Sequence, residues 1–158
     1  NAVEEVNFEQ KHVIPRKVVE RFGEDLTGKT FAIWGLAFKP DTDDMRQAAA
    51  ITIINELTKR GAKVKAYDPK AEKEARVCYL KDNKNVEYCD SKYTVLVDAD
   101  AMILVTEWKE FRQPDFIEIK KRLKNPVIFD GRNQFDAHSL SDKGFEYYQI
   151  GVSSKLNK

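Results

Sequence analysis

Three positively charged side chains stand where they could bind an anion. Lys39 follows Phe38 just after an apolar run, Arg46 lies a few residues later, and Arg132 follows Gly131 after another apolar run. A lysine supplies a point charge for a phosphate, and the guanidinium fork of an arginine suits bidentate contact with phosphate or carboxylate. These residue types therefore favour recognition of a phosphorylated ligand.

Each of the three cations also has a purely structural alternative. Lys39 could serve solubility alone, as most exposed lysines do, and Arg46 could pair with Asp43. Arg132 could be neutralised by a carboxylate close to it in the chain, either Asp130 or Asp136. The residue types alone leave both interpretations open.

The acidic stretch before Arg46 fits the start of a helix better than a metal site. Asp44 is followed three residues later by Gln47, the spacing of a helix N-cap and its reciprocal partner. A calcium loop would need a glycine at its sixth position and a glutamate where this chain has Thr52. We therefore predict a helix over residues 45–60 with Arg46 in its first turn, and no calcium site.

The pattern of apolar residues predicts the elements that carry these side chains. Helical spacing over residues 3–22 predicts a helix, which Pro15 should kink or divide. Beyond Gly28, short apolar runs alternate with amphipathic segments, as in a doubly wound, mostly parallel α/β sheet. The six predicted strands are 30–36, 64–67, 86–88, 101–105, 127–129 and 147–150, with further helical segments at 70–80, 92–97 and 114–123.

The predicted fold gathers the candidate residues at one edge. Open parallel sheets bind ligands beyond the carboxyl ends of their strands, and the segments in that position are 35–46, 68–69, 106–108 and 130–133. Of the glycines that let a pyrophosphate approach, only Gly35 is present, while Phe38 and Pro40 fill the space beside it. Asp68 lies far beyond the roughly 20 residues expected of a ribose-binding acid. We expect a Rossmann-like fold without a complete NAD site.

Composition excludes several classes of function. The chain has 158 residues with 27 Lys and Arg against 26 Asp and Glu, a net charge of +1, which gives no reason to expect nucleic acid as a partner. No apolar run approaches the roughly 20 residues that span a bilayer, so we expect a cytoplasmic protein. Cys78 and Cys89 are poorly spaced for zinc, His12 and His138 are isolated, and both cysteines are expected to be free thiols.

Four motifs resemble the C-terminal domain of the UDP-glucose/GDP-mannose dehydrogenases. They are GLAFKPDTDDMR at 35–46, YDP at 67–69, TEW at 106–108 and DGR at 130–132. The opening helix resembles the end of the long central helix that joins the halves of those enzymes and forms much of their dimer contact. The resemblance divides the chain into residues 1–28, the end of the linking helix, and residues 29–158, the nucleotide-sugar-binding domain.

The resemblance implies roles for the candidate residues. Phe38 and Lys39 would contact the nucleotide portion of a UDP-sugar, Arg132 would contact the substrate near the catalytic cleft, and Arg46 would reach NAD bound mainly by a separate N-terminal domain. Enzymes of the family oxidise C6 of a nucleotide sugar to a carboxylate in two hydride transfers to NAD. Neither cysteine here matches their nucleophile, so the resemblance implies no catalytic residue in this chain, which alone would be inactive.

The resemblance also suggests a substrate and leaves other classes of function open. The TEW motif is more similar to enzymes acting on UDP-glucose than to those acting on other nucleotide sugars, which implies UDP-glucose 6-dehydrogenase activity. The resemblance of the opening helix implies a homodimer or higher homo-oligomer. A related UDP-sugar or GDP-mannose dehydrogenase is one alternative. A stand-alone Rossmann-like binding or dimerisation module is another.

Overall fold

A single parallel sheet of six strands forms the centre of the molecule. A computed structural model of the chain describes the backbone of residues 2–151 and the side chains of residues 11–151. The strands are β1 Thr30–Trp34, β2 Lys63–Tyr67, β3 Val86–Tyr88, β4 Ala101–Leu104, β5 Val127–Asp130 and β6 Glu146–Gln149. Their spatial order is β3-β2-β1-β4-β5-β6, and every neighbouring pair is parallel. This is the strand order of dinucleotide-binding domains, and it confirms the predicted α/β class.

Helices and helical turns connect the strands and cover the sheet. The α-helices are α1 Ala2–Phe22, α2 Ala49–Lys59, α3 Glu72–Glu74, α4 Phe116–Arg122 and α5 Ala137–Asp142. A π-helical turn, Ala75–Tyr79, continues α3, and short 3-10 helices lie at Thr94–Leu96 and Lys109–Phe111. Pro15 lies inside α1, so the opening segment is one helix rather than two. The patterns did not predict α5 or the turn at Lys109–Phe111.

The central strands are buried on both faces. Every residue of β4 and β5 is buried, as is every residue of β1 after Thr30. Such strands appear in the sequence as continuous apolar runs because helices cover both faces of the sheet. Ile14 and Val18 of α1 have no exposed surface, and α1 packs on α2 and touches β5. The second half of the opening helix is therefore part of the same hydrophobic core.

The predicted start of α2 was wrong. The helix begins at Ala49, and the N-cap residue Ala48 makes no side-chain cap hydrogen bond. Asp44 cannot cap this helix because its carboxylate bonds to Arg46 instead. Gln47 has a φ of 62°, a left-handed conformation that interrupts any helical turn before Ala49. Arg46 therefore lies in a loop and does not oppose the positive end of the α2 dipole.

Candidate functional site

Asp68, at the carboxyl end of β2, is the hub of the edge where the strands end. It is buried, and its carboxylate accepts hydrogen bonds from the backbone amides of Leu36 at 2.6 Å and Ala37 at 3.0 Å. The other oxygen accepts from the amides of Lys70 and Ala71, and the indole Nε1 of Trp108 donates to Asp68 at 3.1 Å. The two oxygens of Asp68 thus accept hydrogen bonds from five protein donors, which gives this carboxylate a structural role.

The same contacts explain why this edge lacks a pyrophosphate cradle. In dinucleotide-binding folds the amides after the first strand are free to bind phosphate oxygens. Here the amides of Leu36 and Ala37 donate to the Asp68 carboxylate. These two amides are therefore satisfied by a carboxylate of the protein itself and are not free to bind a phosphate.

Gly35 permits the close approach of β1 and β4 beyond their ends. Its φ is 102°, and a Cβ atom built there would lie 2.5 Å from Cβ of Thr106 and 2.6 Å from its backbone nitrogen. The Thr106 hydroxyl donates a 2.6 Å hydrogen bond to the carbonyl of Ala37. The glycine therefore serves packing between two protein segments, and it does not open space for a phosphate.

The loop after β1 presents Phe38 and Lys39 at its outer end. The Phe38 amide donates to the carbonyl of Asp44 at 2.8 Å, which closes the loop into a compact turn. Phe38 is half-buried and packs against the core, whereas Lys39 is exposed. Asp41 has a φ of 68° within this turn. The result is an aromatic side chain beside an accessible ammonium group on a constrained loop.

Arg46 is held by Asp44 and not by the predicted partner Asp43. Its Nε donates to Oδ1 of Asp44 at 3.1 Å and its Nη2 to Oδ2 at 2.8 Å, a two-pronged ion pair. The hydrogen bonds from the Arg46 guanidinium and then from its amide lower the pKa of Asp44 to about 2. The Arg46 side chain is 82% exposed, so one face of the guanidinium remains open to a ligand.

Arg132 pairs with Glu107 and not with either of the partners suggested by the sequence. Its Nε donates to Oε2 of Glu107, which lies just beyond the end of β4. The two predicted partners have other roles. Asp136 caps α5, and Asp130 accepts the Arg132 backbone amide while leaving the guanidinium alone.

Asp130 shapes the turn that presents Arg132. It has no exposed surface, and its carboxylate accepts from three backbone amides and from the Tyr147 hydroxyl at 2.6 Å. The amide donors belong to Arg132, Gln134 and Phe135. Burial raises the pKa of Asp130 despite the opposing effect of these hydrogen bonds. Asp130 and Tyr147 are therefore structural supports of the site; the sequence suggested Asp130 only as a partner of the Arg132 side chain and gave no role to Tyr147.

Two of the three predicted cation positions belong to one connected edge. The segment 106–108 joins them, because Thr106 bonds to Ala37 beside the Phe38–Lys39 turn and the adjacent Glu107 pairs with Arg132. Arg46 lies on the same loop as Lys39, and its guanidinium bonds only to Asp44 among the described residues. The structure thus links the loop after β1 to Arg132 through residues 106–108, while the Arg46 guanidinium pairs with Asp44 on that loop.

Metal and membrane features are not found in the part of the chain that the structure describes. Its His, Cys, Asp and Glu side chains form no group of three that could hold a metal ion. Of the helices described there, none is both long enough and apolar enough to cross a bilayer. Cys78 is exposed, Cys89 is buried, and both are free thiols, as predicted.

The fold and this edge define a class of protein: a Rossmann-like domain whose amides after the first strand donate to its own carboxylate. Residues 32–137 match the UDP binding domain of the UDP-glucose/GDP-mannose dehydrogenase family. The chain belongs to that family.

Sequence relatives agree with the family match. A UDP-glucose 6-dehydrogenase of Pseudomonas aeruginosa is 40% identical over 152 residues, which are 95% of this chain and 34% of that protein. The UDP-glucose 6-dehydrogenase TuaD of Bacillus subtilis is 40% identical over 150 residues, which are 95% of this chain and 32% of the relative. The chain thus spans about a third of the length of these curated relatives.

Solved structures agree as well. A UDP-glucose dehydrogenase from Pyrobaculum islandicum superposes with a TM-score of 0.70 at 28% identity, covering 90% of this chain and 29% of the other. An NDP-N-acetyl-D-galactosaminuronic acid dehydrogenase from Methanosarcina mazei gives 0.73 at 27% identity, covering 94% and 30% of the two chains. The family resemblance seen in the motifs is thereby confirmed across nearly the whole domain.

Proposed function

We propose that this chain is the C-terminal domain of an NAD-dependent UDP-glucose 6-dehydrogenase and supplies part of its UDP-sugar site. The observation that carries the proposal is the continuous edge from the Phe38–Lys39 turn through residues 106–108 to Arg132. In this proposal Phe38 packs against the nucleotide, Lys39 neutralises its phosphates, and Arg132 binds the substrate nearer the reacting sugar. The names of the relatives support UDP-glucose as the sugar nucleotide.

We assign most of the NAD site to a separate N-terminal domain, because the loop after β1 offers no cradle for a pyrophosphate. The amides of Leu36 and Ala37 are taken by Asp68, so the pyrophosphate of a dinucleotide finds no cradle after β1. Arg46, exposed on the same loop, suits a single contact to a cofactor held chiefly by a separate N-terminal domain. The cofactor would supply hydride acceptance, one hydride to each of two NAD molecules bound in turn, as oxidation of an alcohol to a carboxylate requires, with water supplying the second oxygen.

The remaining machinery is assigned to the partner domain of the complete enzyme. We assign the cysteine nucleophile of the proposed reaction to that domain because neither Cys78 nor Cys89 matches the nucleophile of the family, and Cys89 is in addition buried with a pKa raised chiefly by that burial. Residues 1–28 serve as the end of a linking helix, followed by the nucleotide-sugar domain, and α1 is the proposed element of a homodimer contact. The complete enzyme is expected to work in the cytoplasm.

One observation favours a second candidate substrate. The fold is shared with an NDP-N-acetyl-D-galactosaminuronic acid dehydrogenase at a TM-score of 0.73, so the same edge can serve a different sugar. The residues assigned here to the nucleotide and phosphates do not touch C2 of the sugar in this proposal. Discrimination between glucose and an N-acetylated sugar therefore falls to the other domain.

Replacing Lys39 tests the proposal directly. Lys39→Ala should weaken UDP binding by roughly 1.5–3 kcal/mol, as expected for loss of a hydrogen bond to a charged group. Lys63→Ala is the matched control. Lys63 is also exposed, but it begins β2 and so lies at the amino-terminal ends of the strands, away from the proposed site. Affinity is measured by calorimetry at millimolar UDP. An unchanged affinity for Lys39→Ala would remove Lys39 from the site.

A further inference from the structure

The ion pair between Glu107 and Arg132 has a geometry that leaves the binding end of the arginine open. Glu107 accepts from Nε of Arg132, and within the described residues the guanidinium makes no hydrogen bond through Nη1 or Nη2. Both side chains are partly buried, with 20% of Arg132 and 25% of Glu107 exposed. The two Nη nitrogens therefore remain available to an anion, on a guanidinium whose orientation is already fixed.

Glu107 is itself held in place by both of its neighbours in the chain. Thr106 donates to the carbonyl of Ala37 at 2.6 Å, and the indole of Trp108 donates to Asp68 at 3.1 Å. Both contacts are buried. The backbone on each side of Glu107 is thus anchored to the loop that follows β1, so the carboxylate presents a rigid acceptor to Arg132.

A carboxylate next to an anion site needs a compensating benefit. Its negative charge repels a phosphate and weakens the field of the arginine. An unrestrained arginine, however, loses much side-chain freedom when it binds a ligand, whereas a pre-oriented fork loses less. Pairing at Nε alone secures the orientation without using the donors that face a ligand.

We propose that Glu107 is a positioning residue for Arg132 in nucleotide-sugar binding and makes no contact with the ligand itself. This inference rests on the proposed function, because it assumes that Arg132 binds the substrate. It assigns the glutamate of the TEW motif a role through its partner. The same geometry predicts that Glu107 has no effect on binding once Arg132 is removed.

A double-mutant cycle with UDP-glucose as the probe separates this role from general stability. The variants are Glu107→Gln, Arg132→Ala and the double variant, and dissociation constants come from NMR titration of the chain. Glu118→Gln is the matched control, since Glu118 also pairs with the Nε of an arginine, Arg122 on α4, at 2.9 Å, with 36% of Arg122 and 33% of Glu118 exposed. The Nε–H resonance of Arg132 gives a ligand-free readout of its immobilisation, and thermal unfolding shows whether each variant is folded.

The expected results are specific. Arg132→Ala should weaken UDP-glucose binding about tenfold and Glu107→Gln about threefold, while the double variant matches Arg132→Ala alone. The Arg132 Nε–H resonance should exchange slowly with water in the parent chain and faster in Glu107→Gln. Glu118→Gln should change neither quantity.

Other results overturn the inference and identify which assumption failed. If Arg132→Ala weakens binding but Glu107→Gln does not, or if the two effects multiply, Glu107 does not act through Arg132. Tighter binding by Glu107→Gln would mean that charge repulsion dominates, which also overturns it. If Arg132→Ala leaves the affinity unchanged, or the parent chain binds no UDP-glucose, the proposed role of Arg132 in substrate binding is overturned. The inference about Glu107 is then overturned too, because it assumes that role.

Discussion

The carboxylate of Asp68 accepts a 2.6 Å hydrogen bond from the amide of Leu36, across the end of the sheet from β2 to the loop after β1. This single contact changes what the fold can bind. An amide that would receive a phosphate in a dinucleotide-binding domain is satisfied by the protein itself. The domain keeps the Rossmann-like strand order, and we propose that its nucleotide binds instead at Phe38 and Lys39.

Removal of Asp68 should destabilise the domain strongly. Asp68→Ala leaves four backbone amides and one indole N–H without their acceptor in a buried region. We expect the free energy of unfolding to fall by about 3 kcal/mol or more, because each unsatisfied buried donor is costly. Trp108→Phe removes only one of these bonds and should lose about 1 kcal/mol. Urea denaturation measures both, and equal losses would contradict the role of Asp68 as the hub.

The two glycines Gly35 and Gly23 offer a matched test of close packing. Their φ values are nearly equal, at 102° and 101°, but an added Cβ meets Thr106 at 2.5 Å in the first case and nothing within 4 Å in the second. Both alanine variants bear backbone strain of about 1 kcal/mol. Gly35→Ala should lose about 2 kcal/mol more because the strands must separate. Thermal unfolding that ranks Gly23→Ala as the less stable variant would refute this packing argument.

The stability of the domain should fall in alkali. Burial and the hydrogen bond to Glu146 raise the pKa of Tyr148 to about 12, and burial raises the pKa of Tyr147 as well. A raised pKa favours the protonated form in the folded state, so this stability is complete below the ordinary tyrosine pKa of about 10 and is lost as pH rises through about 12. Tyr148→Phe should reduce the decline in melting temperature between these pH values. An identical decline in the variant would exclude Tyr148.

Arg46 should affect the cofactor and not the nucleotide sugar. In a complete dehydrogenase carrying this domain, Arg46→Ala should raise KM for NAD about tenfold, since a charged hydrogen bond is lost, and leave KM for UDP-glucose unchanged. Lys39→Ala should show the reverse pattern. Initial-rate kinetics with each substrate varied in turn distinguishes them. A rise in KM for UDP-glucose alone in Arg46→Ala would assign Arg46 to the sugar nucleotide.

Much of the fold could be predicted because its signals are local. Each strand of the sheet was predicted with both ends within two residues, since buried parallel strands appear as apolar runs between turn residues. The start of α2 was not predictable in the same way. Asp44 and Gln47 have the spacing of a cap, but the Asp44 carboxylate bonds to Arg46 and Gln47 adopts a φ of 62°. The ion pair between Asp44 and Arg46 therefore replaces the helix cap that the spacing predicts.

The partners of the site residues were less predictable because they depend on which strands become neighbours. The sequence suggests Asp130 and Asp136 as ion-pair partners of Arg132, because both are close to it in the chain. Its true partner, Glu107, is close only because β4 and β5 are adjacent. Asp130 is unavailable because its oxygens accept from amides and from Tyr147. The candidate positions could be found from the sequence, but the hydrogen bonds that orient them required the fold.

The most direct test of the UDP-sugar site is an amide-resolved NMR titration of this chain with UDP, GDP and NAD in turn, at millimolar concentration. We predict that UDP shifts the resonances of Phe38, Lys39 and Arg132, that GDP and NAD leave them largely unchanged, and that Lys39→Ala reduces the UDP response. If none of the three nucleotides perturbs these residues, or if GDP and NAD shift them as strongly as UDP does, the assignment of this edge as a UDP-sugar site is contradicted.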